Sequence, residues 1–315
     1  ADASGATLRF IVPICAALGI NAVIRYNGRK RTIDPLGELL RGKGLKVTEN
    51  EGSIAISGKL EGGNFEIPGN ISSQFISGLL FALTLTKDGG SIQIKGILES
   101  SGYVKMTIDS LERSGIEVSK DGKTFIVTGG QIYSAPDEYK VEGDWTNAAV
   151  WMGINAILLA TENKIYKGRS SDFISKAEIL TGRHLLDFPI QIRGLNMRSS
   201  QPDIAILDII GRFFDIGKDG NNILKGDNVF DCSEIPDLVP VISVLGAVND
   251  GTTLITNAGR LRLKESNRLE TTWDVLGRLG ADIEETGDGL IIYGMELPRG
   301  NRVQSYGDHR VVMMA

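Results

Sequence analysis

Apolar and polar positions follow one another along the chain in blocks that repeat. Three segments share one order: an amphipathic helix pattern, a glycine, a strand pattern, a turn, and a second strand pattern that ends in glycine. The segments are 39–58, 110–130 and 275–294. The closing glycine follows the helix-ending glycine by fourteen residues in each of Gly44/Gly58, Gly115/Gly129 and Gly280/Gly294. Glycine suits the left-handed position that ends a helix, so the pattern predicts three copies of a helix–hairpin module, with 206–226 as a fourth, worn copy.

A second module alternates with the first. In it, a polar loop of small residues opens an apolar helix pattern, and a short strand pattern follows. The five openings begin at Ser4, Gly69, Gly143, Cys232 and Tyr306. The alternation predicts a repeated βαβαββ unit that needs its neighbours to complete a core. Because helix N-termini present free N–H groups and partial positive charge, the five openings together predict a site for a strongly anionic ligand.

The repeat is interrupted at two places. A stretch containing Gly, Ser and Pro over 129–143 separates two series, which predicts a first domain over residues 1–142 and a second over 143–315. Residues 168–198 fit neither module and are predicted to be an insertion. The chain opens directly into a helix pattern and stops in an apolar stretch without a helix stop signal, so we expect both ends to continue in a longer protein.

Composition and charge exclude several classes of protein. The net charge of −5 argues against a nucleic-acid partner. Two cysteines, Cys15 and Cys232, give no disulfide framework and favour a reducing cytoplasm. The two histidines are far apart and no cluster has metal-ligand spacing, so no metal is expected. The longest apolar runs are too short to span a bilayer.

Several charged residues occur where surface charge alone is a poor explanation. Cations are unfavourable at a helix start unless an anion binds there, and an unpaired guanidinium in an apolar helix start is costly. The cations in question are Arg9, Arg262, Lys264, Arg268 and Arg310. Asp237, which follows Pro236 at another opening, reads either as a helix-capping carboxylate or as part of the same site. The cations favour a bound anionic ligand.

Six short motifs at these positions resemble those of one enzyme family. They are SGATLRF (4–10), GNISSQF (69–75), SSGYVKMT (100–107), SEIPDL (233–238), RLKESNRL (262–269) and YGDHR (306–310). From Ser4 to its last residue, apart from the insertion, the chain is similar to the 3-phosphoshikimate 1-carboxyvinyltransferases, or EPSP synthases. The resemblance implies an EPT/RTPC-like α/β fold, a two-lobed inside-out α/β barrel built from βαβαββ units.

The resemblance also implies a reaction. The enolpyruvyl group of phosphoenolpyruvate is transferred to the 5-hydroxyl of shikimate 3-phosphate with release of phosphate, in the chorismate pathway of aromatic amino acid biosynthesis. A general base takes the hydroxyl proton during attack on C2, a general acid protonates C3, and phosphate leaves the tetrahedral intermediate. No metal or organic cofactor is implied. We expect a cytoplasmic monomer with no nucleic-acid or membrane partner.

The motifs carry the family's functional residues onto this chain. The expected catalytic residues are Asp237 as the base and either Lys264 or Glu265 as the acid. The shikimate 3-phosphate site is expected to use Ser72, Ser73, Gln74, Ser100, Tyr103, Asp237 and Lys264. The phosphoenolpyruvate site is expected to use Gly5, Gln74, Arg268 and Arg310. Further candidates are Arg9, Arg31 and His309.

The sequence departs from the family pattern in three respects. The family usually places an arginine before the proline of its second motif, where this chain has Asp34 before Pro35, and we hypothesise that Arg31 compensates. Ala6 stands where a hydroxyl residue is common. The family's first Lys-Ser…Arg motif and its last lysine fall outside the sequence, so the chain as given is expected to be inactive or very weak.

Three other interpretations compete with this one. The sister enzyme that acts on UDP-N-acetylglucosamine has the same fold and donor, but it carries a cysteine on a mobile loop, and neither Cys15 nor Cys232 fits that description. RNA 3′-phosphate cyclase shares a related repeat, but the acidic balance and sparse aromatic residues disfavour it. A degenerate, non-catalytic transferase domain would explain Asp34 and the worn repeat.

Overall fold

In a computed structural model of the chain, helices and strands alternate in the order that the repeat predicts. The structure describes residues 1, 4–27, 32–134, 136–165, 190–216, 222–224, 226–294 and 299–315. The chain divides into two units, called here unit 1 (Ala1–Lys140) and unit 2 (Val141–Ala315). The predicted domain boundary, between residues 142 and 143, lies two residues after this division.

Unit 1 contains two sheets and the helices that cover them. Its elements are α1 (Gly5–Leu18), β1 (Ala22–Arg25), α2 (Leu36–Gly42), β2 (Lys46–Asn50), β3 (Ser53–Ser57), β4 (Gly63–Pro68), α3 (Ser73–Thr84), β5 (Gly89–Lys95), α4 (Ser101–Arg113), β6 (Val118–Asp121) and β7 (Thr124–Thr128). The strand orders are β1-β3-β2 and β4-β5-β7-β6. Strands β4 and β5 are parallel, whereas the other pairs are antiparallel.

Unit 2 follows the same plan after a long first helix. Its elements are α5 (Trp145–Ile165), a 3-10 helix (Pro202–Ala205), α6 (Ile206–Phe213), β8 (Phe214–Ile216), β9 (Asn222–Leu224), β10 (Asn228–Asp231), a 3-10 helix (Pro236–Leu238), α7 (Val239–Ala247), β11 (Thr252–Thr256), a 3-10 helix (Gly259–Leu263), α8 (Arg268–Arg278), β12 (Asp282–Glu285), β13 (Leu290–Tyr293) and α9 (His309–Met314). The strand order β10-β11-β13-β12 has β10 and β11 parallel, and β8 pairs only with β9 among the described strands.

The sheet order confirms the predicted βαβαββ unit twice. The sequences β4-α3-β5-α4-β6-β7 and β10-α7-β11-α8-β12-β13 give the same order and the same single parallel pair. The sheet β1-β3-β2 has this order without a parallel partner for β1 among the described residues. The worn copy is α6 with the hairpin β8-β9, so the four helix–hairpin modules predicted from the sequence are all present.

Two different constraints explain the repeated glycines. The helix-ending positions Gly44, Gly115 and Gly280 have φ of 85°, 76° and 95°, the left-handed conformation predicted for them. The closing glycines of the two complete βαβαββ repeats are required for a different reason, because no space is left there for a Cβ atom. A Cβ at Gly129 would lie 2.1 Å from the backbone oxygen of Lys87, and one at Gly294 would lie 1.5 Å from that of Asn249. In each of these repeats, the end of the hairpin therefore lies so close to the preceding helix–strand connection that no side chain fits between them.

Each unit buries its own hydrophobic cluster. In unit 1, α1 packs closely on α3, because a Cβ at Gly78 would lie only 2.4 Å from the backbone oxygen of Arg9. In unit 2, Trp145 at the start of α5 is fully buried, and its indole nitrogen donates a hydrogen bond to the backbone oxygen of Asn196 (3.2 Å). The apolar faces predicted from the sequence thus point into two separate cores.

The predicted insertion is described only in part. Residues 168–189 lie outside the described residues. Residues 190–198 run along unit 2, where the Ile190 amide donates to Asn155 Oδ1 (3.1 Å) and the Gly143 amide donates to the Gly194 oxygen (2.8 Å). None of the helices in the described ranges is long and apolar enough to cross a membrane.

The two kinds of glycine environment predict opposite effects of alanine. Gly294→Ala should destabilise the protein by more than about 2 kcal/mol, because the new Cβ overlaps backbone that cannot move aside. Gly277→Ala, in α8, should stabilise it by about 0.5–1 kcal/mol, since helix propensity improves and the added Cβ meets nothing closer than Ile283 at 4.0 Å. Urea unfolding of the two variants measures both, and equal effects would contradict the close approach at Gly294.

Candidate active site

Unit 1 brings the predicted hydroxyl residues together at the starts of α3 and α4. The loops that open these helices are bonded to each other, because the Glu99 amide donates to the Gly69 oxygen (3.1 Å). They also touch: a Cβ at Gly69 would lie 2.4 Å from the Ile97 oxygen. Ser72, Ser73 and Ser100 therefore lie at adjacent helix starts.

The two helix starts differ in how their first residue is held. Ser72 is the N-cap of α3, and its hydroxyl accepts from the Gln74 amide (3.3 Å). Ser100 precedes α4 with φ of 53°, a left-handed conformation that is unfavourable for a residue with a Cβ. The residue is 3% exposed, and its side chain makes no capping hydrogen bond to the described helix. The Tyr103 amide donates to the backbone oxygen of Ser100 (3.1 Å), which places Tyr103 in the first turn of α4.

A buried hydrogen bond fixes α4 against α3. The hydroxyls of Ser77 and Thr107 are 2.7 Å apart, and the Thr107 hydroxyl also contacts the Tyr103 backbone oxygen at 3.2 Å. Both hydroxyls are buried one to two turns into their helices, so this hydrogen bond joins α3 and α4 close to the helix starts that carry the serines.

Arg9 of α1 orients Gln74. Its Nη1 donates to Gln74 Oε1 (2.8 Å), and its guanidinium lies over the Phe75 ring, 4.7 Å from the centroid. An arginine has no acceptor, so Gln74 must present its oxygen to Arg9 and turn its NH₂ group away as a donor. Gly5 is the buried first residue of α1, behind the N-cap Ser4, whose hydroxyl accepts from the Thr7 amide (3.2 Å).

In unit 2, one buried arginine holds three carboxylates. The Arg268 side chain is 1% exposed at the start of α8. It donates from Nη1 to Asp237 Oδ1 (2.9 Å), from Nη2 to Glu265 Oε2 (2.7 Å), and from Nε to Asp308 Oδ2 (3.0 Å). Residues from three separate sequence motifs therefore meet at one guanidinium. We call Asp237, Lys264, Glu265, Arg268, Asp308 and Arg310 the charge cluster.

Asp308 was not among the predicted site residues. Its side chain is fully buried, and besides Arg268 it accepts from the Ser266 hydroxyl (3.0 Å) and from the Arg310 amide (3.0 Å). It is the N-cap of α9 and so joins Arg268 to the helix that carries Arg310. An aspartate placed two residues before an arginine at a helix start is a capping signal that could have identified it.

Asp237 lies among three cations. Lys264 Nζ is 3.3 Å from its Oδ1, Arg268 Nη1 is 2.9 Å from the same oxygen, and Arg310 Nη2 is 3.8 Å from its Oδ2. Burial alone would raise the pKa of Asp237, but Lys264, Arg310 and Arg268 together outweigh it and hold that pKa well below its usual range. The carboxylate does not cap the 3-10 helix around it, so the capping interpretation is wrong.

Arg310 has donor capacity left. Its Nη2 makes the long contact with Asp237, and its buried Nη1 has no hydrogen-bond partner within the described part of the chain. A buried donor without a partner costs free energy, which a bound acceptor would recover. His309, the first residue of α9, is exposed.

Two of the expected anion-binding positions already have partners within the protein. Arg262 donates to Glu285 and to the Thr286 oxygen (2.9 Å), so its charge serves the β12–β13 hairpin. At the start of α5, Asp144 Oδ1 already accepts hydrogen bonds from the amides of Thr146 (2.8 Å) and Asn147 (3.1 Å). A carboxylate of the protein itself satisfies this helix start, as Asp308 does for α9.

The departure at Asp34 has a local explanation. Its Oδ1 accepts from the Glu38 amide of α2 (3.1 Å) and from Arg41 Nη2 (2.8 Å). Asp34 therefore stabilises the start of α2 and neutralises Arg41. Arg31, the hypothesised replacement for the missing arginine, lies outside the described residues.

Within unit 2, the charge cluster is suited to proton transfer beside a bound anion, because it holds carboxylates, an ammonium and two guanidinium groups. Within unit 1, the starts of α3 and α4 carry hydroxyl groups and the Gln74 amide. Among the described side chains, no group of three or more His, Cys, Asp or Glu residues is placed to hold a metal ion.

Comparisons with known proteins show what the chain is similar to. The family model described as EPSP synthase (3-phosphoshikimate 1-carboxyvinyltransferase) matches residues 1–165 and 170–315. The 3-phosphoshikimate 1-carboxyvinyltransferases of Clostridium acetobutylicum and Brachyspira hyodysenteriae are each 38% identical over 98% of this chain, which covers 68% and 69% of their lengths. An EPSP synthase structure from Acinetobacter baumannii has a TM-score of 0.65 at 20% identity, over 99% of this chain and 70% of its own. The structural likeness confirms the predicted EPT/RTPC-like α/β fold class.

The pKa of Asp237 predicts how stability depends on pH. Because this pKa is lower in the folded state, the ionised carboxylate stabilises the protein fully above the unfolded-state pKa of about 3.9, and this contribution is lost as pH falls below that value. Asp237→Asn should cost about 1–2 kcal/mol at pH 7, and the difference from wild type should shrink below about pH 4. Thermal unfolding between pH 7 and pH 3 measures this, with the exposed Glu270→Gln as the control. A difference that stays constant with pH would refute the argument.

The left-handed Ser100 predicts a variant that gains stability. Ser100→Gly should stabilise the protein by about 0.5–1 kcal/mol, because glycine adopts positive φ without strain and no capping hydrogen bond is lost. Ser100→Ala keeps the Cβ and should not gain. Denaturant unfolding compares the two variants, and a glycine variant no more stable than the alanine variant would show that the backbone at Ser100 is not strained.

Proposed function

The chain belongs to the EPSP synthase family, as the resemblance of its motifs predicted, and is therefore an enolpyruvyl transferase of the shikimate pathway; we propose here which of its residues bind the substrates and which transfer protons. The reaction transfers the enolpyruvyl group of phosphoenolpyruvate to the 5-hydroxyl of shikimate 3-phosphate and releases phosphate. One observation carries the assignment of roles: Asp237 is held ionised between Lys264, Arg268 and Arg310.

In this proposal the phosphate of shikimate 3-phosphate is bound by Ser72, Ser73 and Ser100. Their adjacent positions at the starts of α3 and α4 offer hydroxyl donors together with the free N–H groups of a twelve-residue helix. The strained conformation of Ser100 supports a functional role, because a glycine would fold better there. Tyr103, in the first turn of α4, lies against the ring region of the substrate. Gln74 contributes the NH₂ group that Arg9 turns outward.

Phosphoenolpyruvate is proposed to be bound by Gly5, Gln74, Arg268 and Arg310. Arg310 is the best-placed of these for a new anion, since its Nη1 has no partner among the described residues. Arg268 already uses Nε and both terminal nitrogens on carboxylates, so a substrate anion would have to share or displace one of them. His309, exposed at the start of α9, and Arg31 remain further candidates for this site.

Asp237 is the proposed general base. Its neighbouring cations make Asp237 a weak base, and a weak base is poorly suited to take a hydroxyl proton near neutral pH. Both substrates are anions, and they offset the charges of Lys264, Arg268 and Arg310 when they bind. The basicity of Asp237 therefore rises when the site fills. Proton removal is thereby coupled to the presence of both substrates.

Lys264 is favoured over Glu265 as the proton donor to C3. Glu265 accepts a hydrogen bond from Arg268 and so serves as an acceptor in this arrangement. Lys264 carries protons and lies 3.3 Å from Asp237. An ammonium beside the base can deliver a proton to C3 while Asp237 receives the one from the hydroxyl, after which loss of phosphate and of a C3 proton gives the enol ether.

We also propose that the enzyme is a cytoplasmic monomer. Cys15 and Cys232 are free, and burial raises the pKa of the Cys232 thiol to about 12, which disfavours its thiolate form. Two free cysteines fit a reducing compartment. Fractionation and size-exclusion chromatography of the full-length protein test the location and the oligomeric state.

The reaction is tested by measuring phosphate release from phosphoenolpyruvate with the full-length protein. Release should require shikimate 3-phosphate. Release only with UDP-N-acetylglucosamine would assign the chain to the sister activity, and no release with either acceptor would favour a non-catalytic domain.

The role of Arg310 predicts a selective defect. Arg310→Gln should raise the KM for phosphoenolpyruvate by roughly tenfold to a hundredfold, the effect of one charge-assisted hydrogen bond, and leave the KM for shikimate 3-phosphate within about twofold. Arg302→Gln removes an exposed arginine of the same unit and controls for lost charge. A rise in both KM values, or in neither, would argue against a donor site at Arg310.

A further inference from the structure

The loop before α9 is a tight turn with an unusual residue in it. The Asp308 amide donates to the Ser305 oxygen (3.0 Å), and the two central residues, Tyr306 and Gly307, have φ of 54° and 66°. Positive φ at both central positions is the requirement of a type I′ turn, whose first central position favours asparagine, aspartate or glycine. A bulky aromatic residue in the left-handed region is disfavoured, so an interaction elsewhere must hold Tyr306 there.

That interaction is a short hydrogen bond to α8. The Tyr306 hydroxyl donates to Asp274 Oδ2 at 2.6 Å, and Arg278 Nε donates to both oxygens of the same carboxylate. The hydrogen bonds from Arg278 and Tyr306 lower the pKa of Asp274, and the bond to Asp274 raises the pKa of Tyr306. The acceptor therefore stays ionised and the donor stays protonated at neutral pH.

The turn leads directly into the charge cluster. Two residues after Tyr306, Asp308 accepts from Arg268 and from the Arg310 amide. Helix α8 thus holds the segment 305–310 at two points, through Arg268 at its start and through Asp274 in its second turn. Of these two contacts, the Tyr306–Asp274 hydrogen bond is the one at the protein surface.

We propose that Tyr306 is a positioning residue: its hydroxyl, bound to Asp274, holds the Ser305–Asp308 turn against α8 so that Asp308 orients Arg268 and Arg310 for the donor substrate. This inference rests on the proposed binding of phosphoenolpyruvate by Arg268 and Arg310. Tyr306 itself need not touch either substrate, since its side chain is committed to Asp274.

Tyr306→Phe removes only the hydroxyl. In the full-length enzyme, the KM for phosphoenolpyruvate should rise about fivefold to tenfold, as for the loss of one hydrogen bond, with the KM for shikimate 3-phosphate within about twofold. Tyr293→Phe is the matched control, because it removes a tyrosine hydroxyl that contacts Glu284 at 3.5 Å in the same unit. Equal changes in both KM values, or a change no larger than in the control, would overturn the proposal.

Tyr306→Asn separates the turn from the hydrogen bond to α8. Asparagine suits the left-handed position, so the turn should form and thermal stability should be retained. Because the bond to Asp274 is lost, the KM for phosphoenolpyruvate should still rise as in Tyr306→Phe. Recovery of the wild-type KM in Tyr306→Asn would show that only the turn conformation matters, and that result would also overturn the proposal.

A readout without substrate distinguishes this inference from the assignment of Arg310. Hydrogen exchange at the amides of residues 308–312 should be several-fold faster in Tyr306→Phe than in Tyr293→Phe, because the turn is released from α8. Faster exchange together with an unchanged KM in Arg310→Gln would mean that Tyr306 holds the turn but that the proposed donor site is wrong. Unchanged exchange in Tyr306→Phe would refute the positioning role directly.

Discussion

The structure of unit 2 depends on one buried guanidinium and its carboxylates. Burying a charge is costly unless it is paired, and removing one partner of such a pair leaves an uncompensated charge. Asp237, Glu265 and Asp308 therefore together compensate the buried charge of Arg268, and the loss of any one of them lowers the stability of the protein. This requirement connects the 3-10 helix before α7, the start of α8 and the turn before α9. Lys264 and Arg310 complete the cluster, in which three cations balance three carboxylates.

The two units use different chemistry for the same kind of ligand. Unit 1 offers neutral donors at helix starts: serine hydroxyls, backbone N–H groups and the Gln74 amide. Neutral donors can bind a phosphate without changing the protonation of nearby groups, which suits the phosphate of shikimate 3-phosphate in our proposal. Unit 2 concentrates charge around Asp237, so an anion that binds there would change the basicity of the proposed general base. The proposed roles therefore follow the difference in polar residues between the two units.

The features predicted correctly from the sequence are those with local causes. A helix ends at Gly280 because that residue must be left-handed, and the requirement is visible in a single window of sequence. Because the same helix-ending glycine recurs in each module of the repeat, the βαβαββ order could be predicted from the sequence. The reason for Gly294 was not predictable in the same way. Its Cβ is excluded by Asn249, forty-five residues earlier, and this approach exists only once the strands are paired.

The partners within the site also depend on long-range contacts. The motifs identified Asp237 and Arg268 as residue types that fit the chemistry, but the spacing did not show that they bind each other across 31 residues. The argument from helix starts failed for a related reason. A polar opening signals a need for acceptors, and a carboxylate of the chain itself, such as Asp308, meets that need as well as a ligand does. An anion site follows only where donors stay unmatched after the protein's own acceptors are counted. Among the described residues of the charge cluster, Nη1 of Arg310 is the buried donor that meets this test.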